Sequence, residues 1–308
     1  MRRSHRTKIS WRASLAGYLF ASPWLAGFFF FLLGPMIFSL ILCFVRWSGI
    51  TSFRTAEFVG ASNFVNLAHD ELFYVALYNT VYYACLSVPL GIILSLLLAM
   101  MLNQQLRGIT LFRTIFYLPN VVAGVATIMM WRWIFNPDFG ALNFVLERIG
   151  IAHPPAWLQD ATWAKPALVI MSLWRVGGSM LIYLAGLQGI PQHLYEVAAI
   201  DGASPIRRFF NITLPMLTPT IFFNLVMSMI GSFQVFNEAY LMRPFADGGP
   251  NNATLFYVLY LYRKAFQHFQ MGYASAMAWI LFAIILGLTL IVIRSSSLWV
   301  FYEGERER

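Results

Sequence analysis

Phe73–Leu102 reads FYVALYNTVYYACLSVPLGIILSLLLAMML, which is 30 residues without one Asp, Glu, Lys or Arg. A helix needs about 20 mostly apolar residues to cross the hydrocarbon core of a bilayer, so this stretch is long enough by itself. Three further stretches of similar length also lack charged side chains: Leu15–Val45, Phe209–Asn237 and Ala265–Ile293. The pattern predicts a protein that crosses a membrane several times.

The composition of the whole chain supports this prediction. Of its 308 residues, 59% are hydrophobic and only 11% are charged, whereas about 25% are charged in a typical soluble domain. A water-soluble enzyme, a disordered chain and a nucleic-acid-binding module are therefore excluded. The net charge of +8 is explained by basic residues that flank membrane spans. The two cysteines lie in apolar stretches and the five histidines lack metal-ligand spacing, so neither a disulfide framework nor a metal site is predicted.

An all-α membrane protein with six spans is the predicted fold. The predicted spans are Leu15–Val45, Phe73–Leu102, Leu111–Phe135, Pro166–Leu187, Pro215–Tyr240 and Tyr273–Ile293. The first is too long for the apolar region of a signal peptide and is expected to be a retained anchor, kinked at Pro23 and Pro35. An even number of spans puts both termini on one side, and the distribution of basic residues favours the cytoplasm. The chain then divides into a basic tail 1–14, a transmembrane domain 15–295 and a C-terminal tail 296–308.

The outer connections are long and rich in turn-forming residues, as in Asn136–Gly140 and Asp247–Pro250. Helical spacing of apolar residues predicts one short amphipathic helix there, formed by Leu142, Val145, Leu146 and Ile149. That helix is expected to lie at the membrane interface. Two interpretations of it remain open, a packed loop helix and a docking site for a partner.

The inner connection 188–214 is long and reads QGIPQHLYEVAAIDGASPIRRFFNITL. Pro191 suits the start of a short helix, and Gly202 suits a left-handed residue that stops it. Ser204 followed by Pro205 is typical of the start of a second helix. Two short helices around a glycine corner are therefore predicted. The small alanine and glycine side chains allow close approach of another protein, which favours a docking element.

This loop resembles the Glu-Ala-Ala loop of the permeases of bacterial ATP-binding-cassette importers. Glu196, Ala198 and Gly202 match it, and Ile212, Leu214 and Pro215 follow after nine residues, while Val197 stands where the family usually has alanine. Other segments are similar to the sugar-type members, relatives of the first permease subunit of maltose and glycerol-phosphate importers. These segments are Phe112–Pro119, Trp131–Pro137, Asp247–Pro250 and Gly272–Ala276, so the resemblance covers residues 15–295.

The resemblance implies several partners in a bacterial or archaeal inner membrane. They are a second permease subunit, two ATPase subunits and an extracytoplasmic binding protein that delivers the solute. The loop would hold the coupling helix, with Tyr195, Glu196, Val197, Ala198, Ala199, Asp201, Gly202 and Ala203 as docking residues. The chain itself is expected to be neither an enzyme nor a cofactor binder. None of its lysines, Lys8, Lys165 and Lys264, follows a glycine as a phosphate-binding loop requires.

Polar side chains inside the spans indicate where a solute could pass. On span five they are Asn224, Ser228 and Ser232, at four-residue intervals, with Gln234, Asn237 and Glu238 extending the polarity toward its outer end; on span four they are Ser172, Arg175 and Ser179. The resemblance implies a mid-membrane solute site with contacts at Ser228 and Ser232. The same residues could instead hold helices together. Arg175 could attract an acidic group of the solute, reach the outer headgroups or serve a structural role in the cavity.

An ion-coupled secondary transporter is the alternative function. Such carriers normally use acidic groups near the middle of the membrane, and no Asp or Glu lies deep in a predicted span. The sequence also lacks a filter-like element typical of a channel and the clustered His, Asp or Glu of a membrane enzyme. A sugar-like solute is expected, and a disaccharide, an oligosaccharide, a polyol and a glycerol phosphate all remain possible.

Overall fold

The computed structural model describes residues 11–104, 106–242 and 248–301, and these are mostly helical. Residue Asp247 and the outer parts of both predicted tails, 1–10 and 302–308, lie outside the described residues. The chain divides into two compact units. One comprises the residues up to His69 together with Lys264–Trp279, and the other comprises Asp70–Arg263 with the residues from Ile280 onward.

The first unit begins with the helices α1 (Trp11–Gly27) and α2 (Gly34–Leu42). A wider π-helical segment, Phe28–Leu33, joins them. Pro35 has no N–H to donate, and the N–H of Gly34 reaches back to the carbonyl of Phe29, five residues earlier. The disturbance predicted at Pro35 is thus a local widening of the helix.

After α2, the first unit continues with two short strands and a helix that are held together by hydrogen bonds of a buried asparagine. Two short antiparallel strands, β1 (Val45–Arg46) and β2 (Glu57–Phe58), are followed by α3 (Ser62–Ala68). The buried amide of Asn63 donates to the carbonyls of Cys43 (2.9 Å) and Val45 (3.1 Å). A Cβ at Gly272 would lie 1.9 Å from the Val45 carbonyl oxygen, so only glycine fits there.

The second unit is a helical bundle. Its helices are α4 (Glu71–Leu102), α5 (Ile109–Val121), α6 (Gly124–Ile134), α7 (Ala141–Arg148), α8 (Ala161–Leu173), α9 (Gly177–Gln188), α10 (Gln192–Ile200), α11 (Pro205–Arg208), α12 (Leu214–Phe233), α13 (Asn237–Leu241) and α14 (Tyr257–Tyr262). The last helix, α15 (Met271–Trp299), contributes residues to both units. Helix α4 packs against α8, α9 and α12, which makes it the central element of this unit. The long helix predicted over Phe73–Leu102 and the short helix predicted around Leu142–Ile149 are confirmed.

Three predicted continuous helices are wrong. The helix over Leu111–Phe135 is two helices, α5 and α6, bent by 99° at Val122 and Ala123. Pro119 has no N–H to donate to the helix. The β-branched Val121 and Val122, together with Gly124, have low intrinsic helix propensity, which favours a break here. The predicted helix Pro166–Leu187 bends by 45° between α8 and α9.

The predicted helix Pro215–Tyr240 stops at Phe233 and resumes only as the short α13. Phe236 leaves the helical conformation with φ −130°, and its ring packs on Tyr240 and Tyr262 at centroid distances of 5.3 and 5.0 Å. The helix is therefore interrupted at the point where the Phe236 ring packs against these two tyrosine rings.

Four helical segments of the described chain are long and apolar enough to cross a membrane. They are Gly17–Leu42, Glu71–Leu102, Pro205–Phe233 and Met271–Trp299. The bent pairs α5–α6 and α8–α9 raise the number to six if each pair is one span. The chain is therefore a multi-pass membrane protein built almost wholly from helices.

Asn79 links the segment 250–256 to α4. Its side chain is 2% exposed, and its amide donates to the carbonyls of Asn252 (2.8 Å) and Leu255 (3.0 Å). Its oxygen accepts from Lys165 Nζ at 3.1 Å. That ammonium also lies over the rings of Tyr78 and Tyr82, at 4.9 and 5.0 Å. One buried side chain thus joins three parts of the second unit.

Asn79→Leu is expected to lower the free energy of unfolding by about 2–6 kcal/mol, since two backbone carbonyls lose their donor at about 1–3 kcal/mol each. Thermal unfolding of the purified protein in detergent measures the loss. Asn66→Leu is the matched control, because Asn66 is exposed and surface changes usually stay within about 0.5 kcal/mol. Equal melting temperatures for the two variants would show that the Asn79 bonds contribute nothing net.

Candidate functional site

A cavity of about 400 Å³ lies in the second unit, where two helices are interrupted. One wall is α4, the second is the break between α8 and α9, and the third is the end of α12 with the break before α13. Its lining residues are Tyr83, Ser87, Val88, Gly91, Ser172, Leu173, Arg175, Val176, Ser179, Ser228, Gly231, Ser232, Gln234, Val235, Phe236, Asn237 and Glu238. Interrupted helices are a common way to present backbone and polar groups to a ligand inside a membrane.

The break between α8 and α9 is held by a side chain of α5. The side-chain amide of Asn120 can form two hydrogen bonds when its nitrogen points to residue 175 and its oxygen to residue 178. The nitrogen then donates to the carbonyl of Arg175 (3.0 Å), and the oxygen accepts from the N–H of Gly178 (3.1 Å). A Cβ at Gly177 would lie 2.1 Å from the carbonyl oxygen of Phe116. The bend therefore needs glycine at residue 177 and lets α9 approach α5 closely.

The serine hydroxyls give the cavity its hydrogen-bonding capacity. Ser172 donates to the carbonyl of Val169 (2.6 Å) and Ser232 to that of Met229 (2.8 Å). Both oxygens keep lone pairs that can accept from a ligand. Within the described residues, the hydroxyls of Ser179 and Ser228 have no partner, so they can donate as well.

Charge and aromatic surface complete the lining. Arg175 and Glu238 bring opposite charges to the same cavity, and no ion pair forms between them. The ring of Tyr83 packs edge-on against Phe256 at 5.5 Å, which fixes its position in the wall. Phe236 adds a second aromatic ring. The cavity can therefore hold a molecule that offers both hydroxyl groups and C–H faces.

The structure brings most of the predicted solute-contacting residues together. Seven of them line the cavity: Ser172, Arg175, Ser179, Ser228, Ser232, Gln234 and Asn237. Asn224 is not among the lining residues; it is 3% exposed and donates to the Thr220 carbonyl of its own helix at 3.0 Å.

Sequence reasoning missed the wall that α4 supplies. Tyr83, Ser87 and Gly91 follow one another at four-residue intervals in the second apolar stretch, the same signal that singled out span five. Glu238 also lines the cavity, which its sequence position near the end of predicted span five does not indicate, because nothing in the sequence shows that α12 ends before it.

The loop 188–214 forms the two short helices around a glycine corner that its sequence predicts. Gly202 has φ +73°. The N–H groups of Gly202 and Ala203 bond back to the carbonyls of Ala199 (3.1 Å) and Ala198 (2.9 Å), which closes α10 as a Schellman motif. Ser204 then caps α11 by accepting from the N–H of Arg207 at 3.3 Å.

Helix α10 is attached to the bundle by its inner face. Leu194 and Tyr195 pack on a buried apolar cluster formed by α4, α9 and α12. The Tyr195 hydroxyl also hydrogen-bonds the Thr213 hydroxyl at 2.9 Å. Tyr195, one of the predicted docking residues, therefore points into the bundle. These contacts join α10 to α4, α9 and α12, and other residues of the same three helices line the cavity.

The outer face of the loop carries apolar side chains. Val197 is 56% exposed, Ile200 86%, Ile206 72% and Phe210 58%. Glu196, Ala199, Asp201 and Gly202 are also exposed, and Ala198 and Ala203 are half-buried. Sequence reasoning chose the small residues of the corner and missed Ile200, Ile206 and Phe210. Ile206 and Phe210 belong to the candidate span Pro205–Phe233, where lipid can cover them, whereas Val197 and Ile200 lie on α10 and are available to another protein.

Comparison with known proteins identifies the family. Residues 87–299 match the model of the binding-protein-dependent transport system inner membrane component. A probable ABC transporter permease, YesP of Bacillus subtilis (strain 168), is 44% identical over 296 residues, which cover 96% of this chain and 94% of that protein. The lactose transport system permease LacF of Rhizobium radiobacter is 39% identical over 269 residues, 86% of this chain and 88% of LacF.

The fold agrees with a solved transporter. A chain of a bacterial alginate ABC transporter, crystallised in complex with an alginate pentasaccharide-bound periplasmic protein, superposes with a TM-score of 0.80. It is 26% identical, and the match covers 92% of this chain and 95% of that one. These relatives are transport permeases, and they give no support to the ion-coupled alternative. The chain belongs to the family of inner membrane components of binding-protein-dependent transport systems, and it is a permease of an ATP-binding-cassette importer.

Proposed function

We propose that this permease forms, together with a second permease subunit, the path of a sugar or a related polyhydroxylated solute. The observation that carries the proposal is the polar cavity at the two helix breaks. Its volume of about 400 Å³ lies within the range of about 300–1,000 Å³ common for small-molecule sites. The named solutes of two relatives, lactose and alginate, are both carbohydrates.

Hydroxyl-rich ligands suit this lining for two reasons. The Ser179 and Ser228 hydroxyls and the side-chain amides of Gln234 and Asn237 both donate and accept hydrogen bonds, as sugar hydroxyls do. The rings of Tyr83 and Phe236 provide apolar surface for the C–H faces of a sugar. Arg175 would additionally attract an acidic group, so an acidic saccharide or a glycerol phosphate is compatible with the cavity. The permease itself binds no cofactor in this proposal.

Energy would come from two ATPase subunits that bind the loop 188–214. The exposed apolar side chains of α10 and its neighbouring corner would form the docking surface, around Glu196, Val197, Ala198, Ala199, Asp201, Gly202 and Ala203. The contacts of Leu194 and Tyr195 with the buried cluster support a mechanical link from that surface to the spans. An extracytoplasmic binding protein would deliver the solute from the other side.

Transport by the reconstituted importer tests the function as a whole. Proteoliposomes that contain this permease, its second permease and the ATPase subunits should take up sugar only when ATP and the loaded binding protein are present. Collapse of proton and sodium gradients should leave the rate unchanged. Uptake that stops with the gradients and continues without ATP would overturn the proposal in favour of an ion-coupled carrier.

We further propose six spans in a bacterial inner membrane, with both termini in the cytoplasm. The transmembrane domain would cover residues 15–295, with the cytoplasmic tails 1–14 and 296–308 on either side. In this arrangement α5–α6 and α8–α9 each form one bent span. The loop 188–214 then faces the ATPase subunits, and the connection with α7 faces the binding protein.

Cysteine labelling in intact cells is expected to confirm this orientation. In a background with Cys43→Ala and Cys85→Ser, a cysteine at Ser204 should react with a membrane-impermeant maleimide only after the membrane is opened. A cysteine at His153 should react without opening. Both positions are exposed; the exposed Asn251 is less suitable because its φ of +50° strains most side chains. The reversed pattern would overturn the orientation.

A further inference from the structure

A second cleft opens inside the loop 188–214, between α10 and the start of the segment Pro205–Phe233. It encloses about 290 Å³. The lining residues are Ala198, Asp201, Ala203, Arg207, Arg208, Asn211 and Ile212. One water molecule occupies about 30 Å³ in the liquid, so the cleft has room for a much larger polar group.

The cleft has an excess of positive charge. Two arginines, Arg207 and Arg208, and one aspartate, Asp201, contribute to its lining. Among the described residues, no carboxylate oxygen lies within ion-pair distance of either arginine. The charge of the arginines is therefore left unbalanced by the chain itself.

Arg208 has a donor beside the cleft that the described residues leave without an acceptor. Its Nε atom is buried, and in the described part of the chain it has no hydrogen-bond partner. A buried N–H donor without an acceptor costs free energy, and such groups are rare in folded proteins. The side-chain amide of Asn211 adds another donor to the same cleft. The side chains of Arg207, Arg208 and Asn211 therefore bring several N–H donors to the lining of a space that the protein does not fill.

We propose that this cleft binds a phosphate group, supplied either by the headgroup of an anionic phospholipid or by soluble phosphate. The guanidinium fork matches the oxygens of a phosphate and can bind two of them at once. The arginines lie at the first turn of a candidate membrane span and are followed by Phe209 and Phe210. Basic pockets at span ends are where anionic headgroups bind.

A carboxylate of a partner protein could also pair with arginines, but the position of the cleft favours phosphate. Its arginines come from the end of the span, at the level where headgroups lie. The exposed apolar residues Val197 and Ile200 do not line the cleft, although the proposed docking residues Ala198, Asp201 and Ala203 border it. A bound phosphate would balance the charge of Arg207 and Arg208 and join α10 to the span. The proposal does not depend on the identity of the transported solute.

Ligand binding by the intact transporter tests the proposal. The complex is placed in nanodiscs of phosphatidylcholine with or without phosphatidylglycerol, and native mass spectrometry measures the bound lipid. In the double variant Arg207→Gln/Arg208→Gln, we expect the affinity for phosphatidylglycerol to fall about tenfold or more, as loss of charge-assisted hydrogen bonds implies. Arg294→Gln removes an exposed charge near the end of α15 and should change nothing. Arg208→Lys keeps the charge without the fork and should give an intermediate affinity.

A second part of the experiment distinguishes the two sources of the phosphate group. Inorganic phosphate is titrated into nanodiscs of phosphatidylcholine alone. Binding of phosphate that is lost in the double variant identifies a soluble ligand, and binding of phosphatidylglycerol alone identifies a lipid. Equal binding of both probes by the wild type and the double variant would overturn the proposal. Dissociation of the ATPase subunits from the double variant in pure phosphatidylcholine would overturn it too, because the arginines would then pair with a partner's carboxylate.

Discussion

Ser232→Leu is expected to reduce solute uptake by the reconstituted importer at least about tenfold. Ser232 is 6% exposed and lines the cavity next to Ser228. Leucine removes a hydroxyl that a solute can bond, and each lost hydrogen bond costs about 0.5–1.5 kcal/mol. It also adds volume to a wall that the solute must pass. Uptake of radiolabelled sugar and basal ATPase activity, measured on the same proteoliposomes, separate a blocked path from a damaged complex.

Two further variants make this experiment specific. Ser297→Leu makes the same change at an exposed position of α15 and should leave uptake unchanged. Ser228→Ala removes only a hydroxyl and should reduce uptake about two- to tenfold. Loss of assembly in Ser232→Leu would mean that the serines hold helices together. Normal uptake of every sugar in a panel would remove Ser232 from the path.

The sequence predicts the long straight helix of this fold well, because an uninterrupted apolar stretch has few alternatives in a membrane. Phe73–Leu102 is such a stretch, and α4 extends it by only two residues. The interrupted helices could not be predicted by the same argument. The bend between α8 and α9 depends on tertiary contacts, namely the Asn120 bonds to residues 175 and 178 and the close approach of Gly177 to Phe116. Hydropathy does not report these contacts.

The candidate site shows the same division. A polar stripe on span five and polar residues on span four predicted two walls of the cavity, because exposed polar groups in lipid are costly. The third wall includes Tyr83 and Ser87. These residues also lie four residues apart, but the length of the apolar stretch Phe73–Leu102 alone predicts only a membrane span. Asn224 followed the stripe but bonds its own helix, since a four-residue interval cannot distinguish a cavity from a helix contact.

Ile200→Glu is expected to weaken binding of the ATPase subunits about 30-fold or more. Ile200 is the most exposed side chain of the apolar surface on the loop 188–214, at 86%. Burying such a residue at the centre of an interface typically contributes about 2 kcal/mol or more, which corresponds to this factor. A buried unpaired carboxylate would add a desolvation cost. Co-purification of the ATPase subunits at graded concentrations measures the change, and solute-stimulated ATPase activity should fall with it.

Because the Ile200 side chain is exposed, its substitution should leave the fold of the permease intact. A loss of binding can then be assigned to the interface. Ile200→Lys brings the opposite charge and should be equally defective if burial of an apolar side chain is what matters. Ile50→Glu alters a comparably exposed isoleucine, 70% accessible, in the first unit and should bind the ATPase subunits normally. Gly202→Asn tests the corner itself: asparagine tolerates the left-handed conformation at φ +73°, so the added side chain should weaken docking by its bulk while the fold of the loop is kept. Normal binding by both Ile200 variants would show that the ATPase subunits dock elsewhere on the permease, and the link from α10 through Leu194 and Tyr195 to the spans would then lose its role in transport.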